Sequence, residues 1–235
     1  MSGRNSGNGG GGISGRSQGG KARVKTARGR STSSVRWLER QLNDPYVKAA
    51  KAAGYRSRAA FKLKELDERF DLLKNATRVV DLGCAPGGWC QVVKERKPKA
   101  RVVGVDILEV EPLAGVDLIL GDIREEATAE QIRTLLEGRA DLVISDMAAN
   151  TVGHKQTDHL RTMGLIEAGL EMALEILEPG GTFVAKVLAG GADSQLLGRL
   201  KQRFKTVKHA KPPASRKDSS EWYVIAQDFR PETAG

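Results

Sequence analysis

VVDLGCAPGGW, residues 79–89, joins a short apolar run to a helical pattern through a glycine-rich turn. Glycines at the end of a strand allow a ligand to approach the backbone closely, and the next helix presents free N–H groups to an anion. We therefore predict a binding loop in which Gly83, Gly87 and Gly88 contact a cofactor. A tight turn without a ligand is the alternative that the glycines alone leave open.

The spacing within this loop argues against one common class of cofactor. A dinucleotide-binding loop reads G-x-G-x-x-G, whereas this loop reads G-x-x-x-G-G and contains Pro86. An NAD-linked oxidoreductase is therefore disfavoured. In a methyltransferase, the anion at the start of the helix would be the methionine carboxylate of S-adenosylmethionine.

Short apolar runs alternate with amphipathic helical patterns over most of the chain. This alternation predicts an α/β fold, a Rossmann-like seven-stranded and mostly parallel sheet with helices on both faces. The predicted strands are Arg78–Leu82, Arg101–Asp106, Asp117–Gly121, Asp141–Ser145, Thr182–Val187, Thr206–His209 and Glu221–Gln227. The predicted helices are Ser57–Arg69, capped by Ser57, then Gly88–Lys97, Glu125–Glu137, His159–Leu177, which Pro179-Gly180-Gly181 ends, and Asp193–Phe204.

Two acids stand at the ends of neighbouring predicted strands. Asp106 ends the second strand, and Asp122 follows the third. Open α/β sheets bind ligands at the carboxyl ends of their strands, where a carboxylate can accept hydrogen bonds from ribose hydroxyls. We predict that Asp106 binds a ribose and that Asp122 accepts from an adenine amino group. Each alone would be an ordinary loop acid, but together they outline a nucleoside pocket.

Two charged residues interrupt the apolar pattern of their strands: Lys186 in GTFVAKVL and Asp146 after LVIS. A strand covered on both faces offers an ammonium no solvated side, and a buried charge is paired or functional. A lysine that reaches solvent and a turn acid are the structural alternatives. Lys62 borders the apolar stripe of its helix, but taken alone it is better interpreted as a surface lysine. Glu221 opens the last strand and alone does not indicate a site.

Positive charge is concentrated in three stretches of the chain. The net charge is +9, and residues 1–36, 45–64 and 199–217 contain eight, six and eight Lys or Arg residues without any Asp or Glu. Such runs are often solvated surface, but three of them favour a polyanionic partner. Phosphate contacts of this kind give salt-sensitive affinity without sequence readout.

The composition predicts a disordered basic Gly/Ser/Arg-rich tail at residues 1–34 and one domain at 35–230. A mitochondrial presequence is the weaker alternative for the tail, because amphipathic apolar positions are nearly absent. Without an 18-residue apolar run or a secretory signal, we expect no membrane partner and a cytoplasmic location. Two cysteines make no disulfide framework, and three histidines without ligand spacing predict no metal.

Five motifs resemble the FtsJ/RlmE-type ribosomal RNA ribose methyltransferases, in that family's order, over residues 36–227. They are Tyr55–Leu63 (YRSRAAFKL), Asp81–Trp89 (DLGCAPGGW), Ser145–Ala148 (SDMA), Val184–Val187 (VAKV) and Ser220–Tyr223 (SEWY). The resemblance implies the S-adenosylmethionine-dependent methyltransferase fold and a catalytic tetrad, namely Lys62, Asp146, Lys186 and Glu221. It also implies cofactor contacts at Gly87, Trp89, Asp106, Asp122 and Asp146.

The resemblance further implies 2′-O-methylation of a uridine ribose in the A-loop of 23S rRNA, within the large ribosomal subunit. In that chemistry Lys186 takes the hydroxyl proton or stabilises the forming alkoxide. Two departures bear on substrate placement, because Ala149 replaces a proline while Ser220 and Trp222 replace arginine and valine. We expect a monomer. A tRNA ribose methyltransferase and a non-catalytic RNA-binding assembly factor are the alternatives.

Overall fold

The computed structural model describes residues 32–149, 153–188 and 194–232. The helices in these ranges are α1 (Thr32–Asn43), α2 (Pro45–Ala52), α3 (Ala59–Phe70), α4 (Gly88–Arg96), α5 (Glu126–Leu136), α6 (Lys155–Ile176) and α7 (Ser194–Arg203). The strands are β1 (Arg78–Leu82), β2 (Arg101–Asp106), β3 (Asp117–Leu120), β4 (Ala140–Ser145), β5 (Leu177–Leu188), β6 (Phe204–Ala210) and β7 (Glu221–Phe229).

These strands form one sheet in the order β3-β2-β1-β4-β5-β7-β6. β1 pairs in parallel with β2 and β4, and β4 pairs in parallel with β5. β7 lies antiparallel between β5 and β6. Parallel strands connected through helices are typical of doubly wound α/β folds. The predicted fold class, a seven-stranded and mostly parallel sheet with helices on both faces, is confirmed.

Each face of the sheet has its own apolar cluster. On one face, α5, α6 and α7 pack around fully buried residues such as Leu170 and Phe183. On the other face, α3 and α4 pack around Leu63, Leu66 and Val92. Side chains alternate between the two faces of a strand. A polar residue two positions along a strand from a member of the second cluster therefore points to the same face, beside α3 and α4.

Two local predictions differ from the structure, and two helices were not predicted. Ser57 does not cap α3, since the N-cap is Arg58 and no side chain hydrogen-bonds to that helix end. Ser57 instead packs on the glycine loop, where a Cβ added to Gly88 would lie 2.5 Å from the Ser57 hydroxyl oxygen. The predicted turn at 179–181 lies within β5, because Leu177 already pairs with Ala140. The helices α1 and α2 were not predicted from their patterns.

The chain divides into two compact units at residues 44 and 45. In the first unit, the Asn43 side-chain amide donates to the main-chain oxygen of Glu39 at 2.7 Å, near the end of α1. α1 begins within the last three residues of the predicted tail, and residues 1–31 of that tail lie outside the described residues. No helix in the described ranges is both long and apolar enough to cross a bilayer.

Candidate active site

Lys62 on α3 is the centre of a buried ionic cluster. Its ammonium nitrogen lies 3.3 Å and 3.4 Å from the two carboxylate oxygens of Asp146, and 3.4 Å from a carboxylate oxygen of Glu221. Only 5% of the residue is exposed. An ammonium removed from water in this way requires anionic partners, so the surface-lysine alternative for Lys62 is wrong.

Lys186 on β5 enters the same cluster from the sheet. Its ammonium nitrogen donates to the main-chain oxygen of Asp146 at 2.7 Å and lies 3.3 Å from the carboxylate of that residue. Glu221 lies 3.8 Å away, and 7% of Lys186 is exposed. The structure therefore brings together all four residues of the predicted tetrad.

Strand register explains why these residues meet. Asp146 directly follows β4, which is parallel to β5, and its side chain is at the carboxyl edge of the sheet. In the antiparallel β5–β7 pair, Lys186 lies opposite Tyr223 and Leu188 opposite Glu221. Residues two apart on a strand share a face, which places Lys186, Glu221 and Tyr223 on the α3–α4 side.

Tyr223 is a member of this site that sequence reasoning missed. Its buried hydroxyl donates a short hydrogen bond to the Asp146 carboxylate, and its ring lies 5.7 Å from the Lys62 ammonium. Burial, together with the negative charge of Asp146, raises the pKa of Tyr223 well above its ordinary value. The residue therefore stays protonated as a donor. Its spacing of two from Glu221 was the available signal.

The charge state of Asp146 is set by its neighbours. Burial works to raise the pKa of its carboxyl, but the ammonium groups of Lys186 and Lys62 and the hydrogen bond from Tyr223 outweigh burial and lower that pKa. Asp146 is consequently an anion at neutral pH. It holds two lysine amines at one point of the crevice.

The glycine loop between β1 and α4 lies beside this cluster. Gly83 and Gly87 have φ angles of 73° and 106°, in the left-handed region that favours glycine. A Cβ on Gly83 would also overlap the Met147 side chain, next to Asp146. No side chain caps α4 at Gly87. The N–H groups at the start of α4 are therefore available to a ligand anion.

The two acids predicted to bind a nucleoside have different environments. Asp106 accepts hydrogen bonds from the main-chain N–H groups of Ala85 and Leu108, at 2.9 Å and 2.8 Å. It thereby fixes the glycine loop to the segment after β2. Asp122 accepts from the side chain and N–H group of Arg124, and these hydrogen bonds lower the pKa of its carboxyl. The loop acid at 122 is thus already ion-paired.

Trp89 lies at the loop, but its side chain points into the protein. The indole N–H donates to the main-chain oxygen of Ala59 at 2.7 Å, the ring packs at 5.8 Å from that of Tyr223, and 3% of the residue is exposed. Trp89 therefore connects α4 to the start of α3. A cofactor contact at this position would use its main chain.

Two buried thiols and one buried acid lie beneath the loop. Cys84 and Cys90 are free thiols, and the Cys90 thiol donates to the Asp81 carboxylate at 3.2 Å. Burial raises the pKa of Asp81 to about 7, with Asp146 and Asp106 adding to the effect against the Cys90 hydrogen bond. Within the described ranges, no cluster of three His, Cys, Asp or Glu residues could hold a metal ion.

Most cations of the two acid-free runs at 45–64 and 199–217 contact other parts of the protein. Arg58 donates to the main-chain oxygen of Ala214, Arg199 pairs with Glu171, and Lys211 donates to main-chain oxygens of its own loop. Some cations of these runs therefore hold the protein together, and Arg199 is also neutralised by an acid from α6. Several lysines of these runs are exposed, namely Lys48, Lys51, Lys201, Lys205 and Lys217.

The sheet order, the glycine loop and the lysine-rich crevice together define a methyltransferase class. The FtsJ-like methyltransferase model matches residues 55–229, and the chain belongs to this family. The family resemblance read from the five motifs is thereby confirmed.

Similar proteins carry a more specific description. The chain is 67% identical over 208 residues to the ribosomal RNA large subunit methyltransferase E of Erythrobacter litoralis, covering 88% of this chain and 94% of that one. It is 63% identical over 219 residues to the protein of the same name from Rhizorhabdus wittichii, covering 92% and 96%. A Plasmodium falciparum structure described as a ribosomal RNA methyltransferase superposes with a TM-score of 0.68 at 30% identity, covering 76% of this chain and all of that one.

Proposed function

We propose that this protein transfers a methyl group from S-adenosylmethionine to the 2′-hydroxyl of a uridine ribose in the A-loop of 23S rRNA. The observation that carries the proposal is the pair of buried amines, Lys62 and Lys186, held 3.3 Å from one carboxylate beside the glycine loop. Relatives at 67% and 63% identity are named for the large ribosomal subunit RNA, which supports the substrate.

The residues around the glycine loop fit the cofactor. The uncapped start of α4 suits the methionine carboxylate, and the positive φ angles at Gly83 and Gly87 leave the backbone open to close approach. Asp106 and Asp122 lie at the ends of β2 and β3, where a nucleoside binds in open α/β sheets. Each carboxylate already accepts protein hydrogen bonds, and its remaining lone pairs would serve the nucleoside.

The tetrad performs the chemistry at the hydroxyl. The cofactor would supply an electrophilic methyl group and leave as S-adenosylhomocysteine, while the attacking 2′-oxygen loses its proton. Lys186 would hold this oxygen: as a neutral amine it takes the proton, and as an ammonium it stabilises the developing negative charge while water takes the proton. Asp146 and Glu221 fix the amine in place through the contacts described above. Tyr223 donates to the Asp146 carboxylate oxygen that both lysines approach.

The exposed lysines of α2 provide a surface for the RNA backbone. Lys48 and Lys51 are exposed on α2, and Tyr46 of this helix packs on Phe61, the neighbour of Lys62, at 5.5 Å between ring centroids. Phosphate contacts orient a nucleic acid without reading its sequence. α2 therefore bears two cations next to the helix that supplies a tetrad residue.

The proposal is tested by offering labelled S-adenosylmethionine with separate pools of tRNA, free rRNA and large ribosomal subunits. The proposal predicts label in large-subunit RNA. Label in tRNA alone would reject the substrate, and binding to all pools without label would favour the non-catalytic assembly factor. Lys201→Ala, which removes an exposed lysine of α7, should give the same labelling as the wild type and is the control for any variant that removes a tetrad lysine.

A further inference from the structure

Arg56, in the connection between α2 and α3, holds two loops at once. Its guanidinium donates to the main-chain oxygen of Pro86 at 3.2 Å, of Glu111 at 2.7 Å and of Pro112 at 2.8 Å. Pro86 belongs to the glycine loop, and the other two lie in the irregular segment between β2 and β3. One side chain therefore bridges the two walls of the predicted nucleoside pocket.

The position of Arg56 is itself fixed by α4. Its main-chain N–H donates to the Gln91 side-chain oxygen at 2.7 Å, and the Gln91 side-chain nitrogen donates to the main-chain oxygen of Gly54 at 2.9 Å. A Cβ placed on Gly87 would lie 3.1 Å from the Arg56 guanidinium. The guanidinium is thus packed directly against the backbone that turns into α4.

The segment after β2 is packed on the core only along part of its length. Ile107 and Leu108 are 72% and 63% exposed, whereas Val110, Leu113 and Val116 pack partly on the core. A segment with exposed apolar residues depends more on its hydrogen bonds for a fixed position. Charge-assisted hydrogen bonds are stronger than neutral ones, and a planar guanidinium can serve several acceptors in fixed directions.

We propose that Arg56 is a positioning residue for the cofactor pocket, which sets the distance between the glycine loop and segment 107–116. The inference rests on the proposed function, since it assumes that S-adenosylmethionine binds between these walls. Arg56 touches no reacting group in this account, and it acts through the carbonyl groups that it holds. Its loss should weaken cofactor binding more than it slows methyl transfer at saturating cofactor.

The test is calorimetric titration of S-adenosylmethionine and S-adenosylhomocysteine into the wild type, Arg56→Ala and Arg56→Lys. We expect a dissociation constant about tenfold higher for Arg56→Ala, with a similar rise in KM for the cofactor and a smaller change in kcat. Arg56→Lys should recover only part of the affinity, because one ammonium cannot serve three carbonyl groups in these directions. Arg133→Ala, which removes an arginine paired with Glu175, should bind like the wild type.

The outcomes separate this inference from the proposed function. A wild type that binds neither ligand would overturn the proposed function, and the inference with it. A wild type that binds both, with Arg56→Ala binding equally well, would overturn the inference alone. Equal thermal unfolding of the unliganded variants would show that the change in affinity is not a loss of folded protein. If Arg56→Ala fails to fold, the affinity of Arg56→Lys is compared with that of the wild type instead.

Discussion

Asp81 and Asp146 lie on and just after neighbouring strands of the sheet, and their carboxyl groups are in opposite electrostatic environments. Asp146 lies between two lysine ammonium groups that lower its pKa, against the effect of burial. Asp81 has the Cys90 thiol as a hydrogen-bond donor, and burial raises its pKa to about 7. Both are largely shielded from water, so the cationic partners, and not depth, determine which carboxylate carries a charge.

The two carboxyl groups therefore belong to different parts of the crevice, an ionic part around Asp146 and an apolar part around Asp81. Around Asp146, ionic groups converge from α3, β5 and β7 on one point. Around Asp81, the surroundings are apolar strands and two thiols. Buried ion pairs add little net stability in general, whereas removing one partner is costly. We interpret the tetrad as a functional cluster and not as a stabilising one.

The largest effect should come from removing the amine that we propose to act on the substrate hydroxyl. Lys186→Ala should lower the single-turnover methylation rate by about 10³-fold at saturating RNA and cofactor. Cofactor affinity should change little, because the glycine loop is intact. Lys201→Ala should retain the wild-type rate. A rate within about threefold of the wild type would remove Lys186 from the chemistry.

A second large effect should follow from neutralising the anion between the lysines. Asp146→Asn leaves the Lys62 and Lys186 amines buried with Glu221 as the remaining carboxylate of the tetrad. We expect a free energy of unfolding lower by about 3 kcal/mol at neutral pH, with a strong loss of activity. Chemical denaturation gives the first quantity, and Asp117→Asn on the exposed edge strand is the control. An unchanged stability would contradict the role given to Asp146.

The pH dependence of this stability has a defined sign. The pKa of Asp146 is lower in the folded protein than its ordinary value of about 4. Its contribution is therefore present above pH of about 4 and lost as pH falls through the folded value. The stability difference between the wild type and Asp146→Asn should shrink as denaturation is repeated at lower pH.

Asp81 should show the opposite pH dependence. Its folded pKa of about 7 exceeds its unfolded value, so its stabilising contribution is complete below pH of about 4 and is lost as pH rises through about 7. Asp81→Asn should therefore gain stability relative to the wild type with rising pH, by on the order of 2 kcal/mol between pH of about 5 and 8. A difference that does not vary with pH would show that Asp81 has no raised pKa.

The smallest effect is expected from exposed charge outside both carboxylate sites. Replacing Lys48 and Lys51 with alanine should reduce the slope of log affinity against log salt for RNA by about one to two. Activity at saturating RNA should remain near that of the wild type. Replacing Arg101 and Arg133, which pair with Glu137 and Glu175, removes the same charge elsewhere and should leave the slope unchanged.

Features that follow from the residue pattern within a single strand could be predicted from the sequence. Lys186 was predicted because it interrupts an apolar strand, and β1 and β2 have the predicted bounds. Lys62 alone looked like a surface lysine, because only the packing of α3 on the sheet brings it to Asp146, 84 residues later. Arg56 lies in the first family motif and in a basic run, but neither indicates its role, since its partners are main-chain carbonyl groups 30 to 56 residues away.

The atom that receives the methyl group distinguishes ribose methylation from base methylation. Large ribosomal subunits that lack the modification would be incubated for one turnover with labelled S-adenosylmethionine, and their RNA digested to nucleosides. We expect label in a 2′-O-methylated uridine with the wild type, and its absence with Lys186→Ala. Label on a base, or equal ribose labelling by the two proteins, would contradict the assignment of the tetrad to ribose methylation.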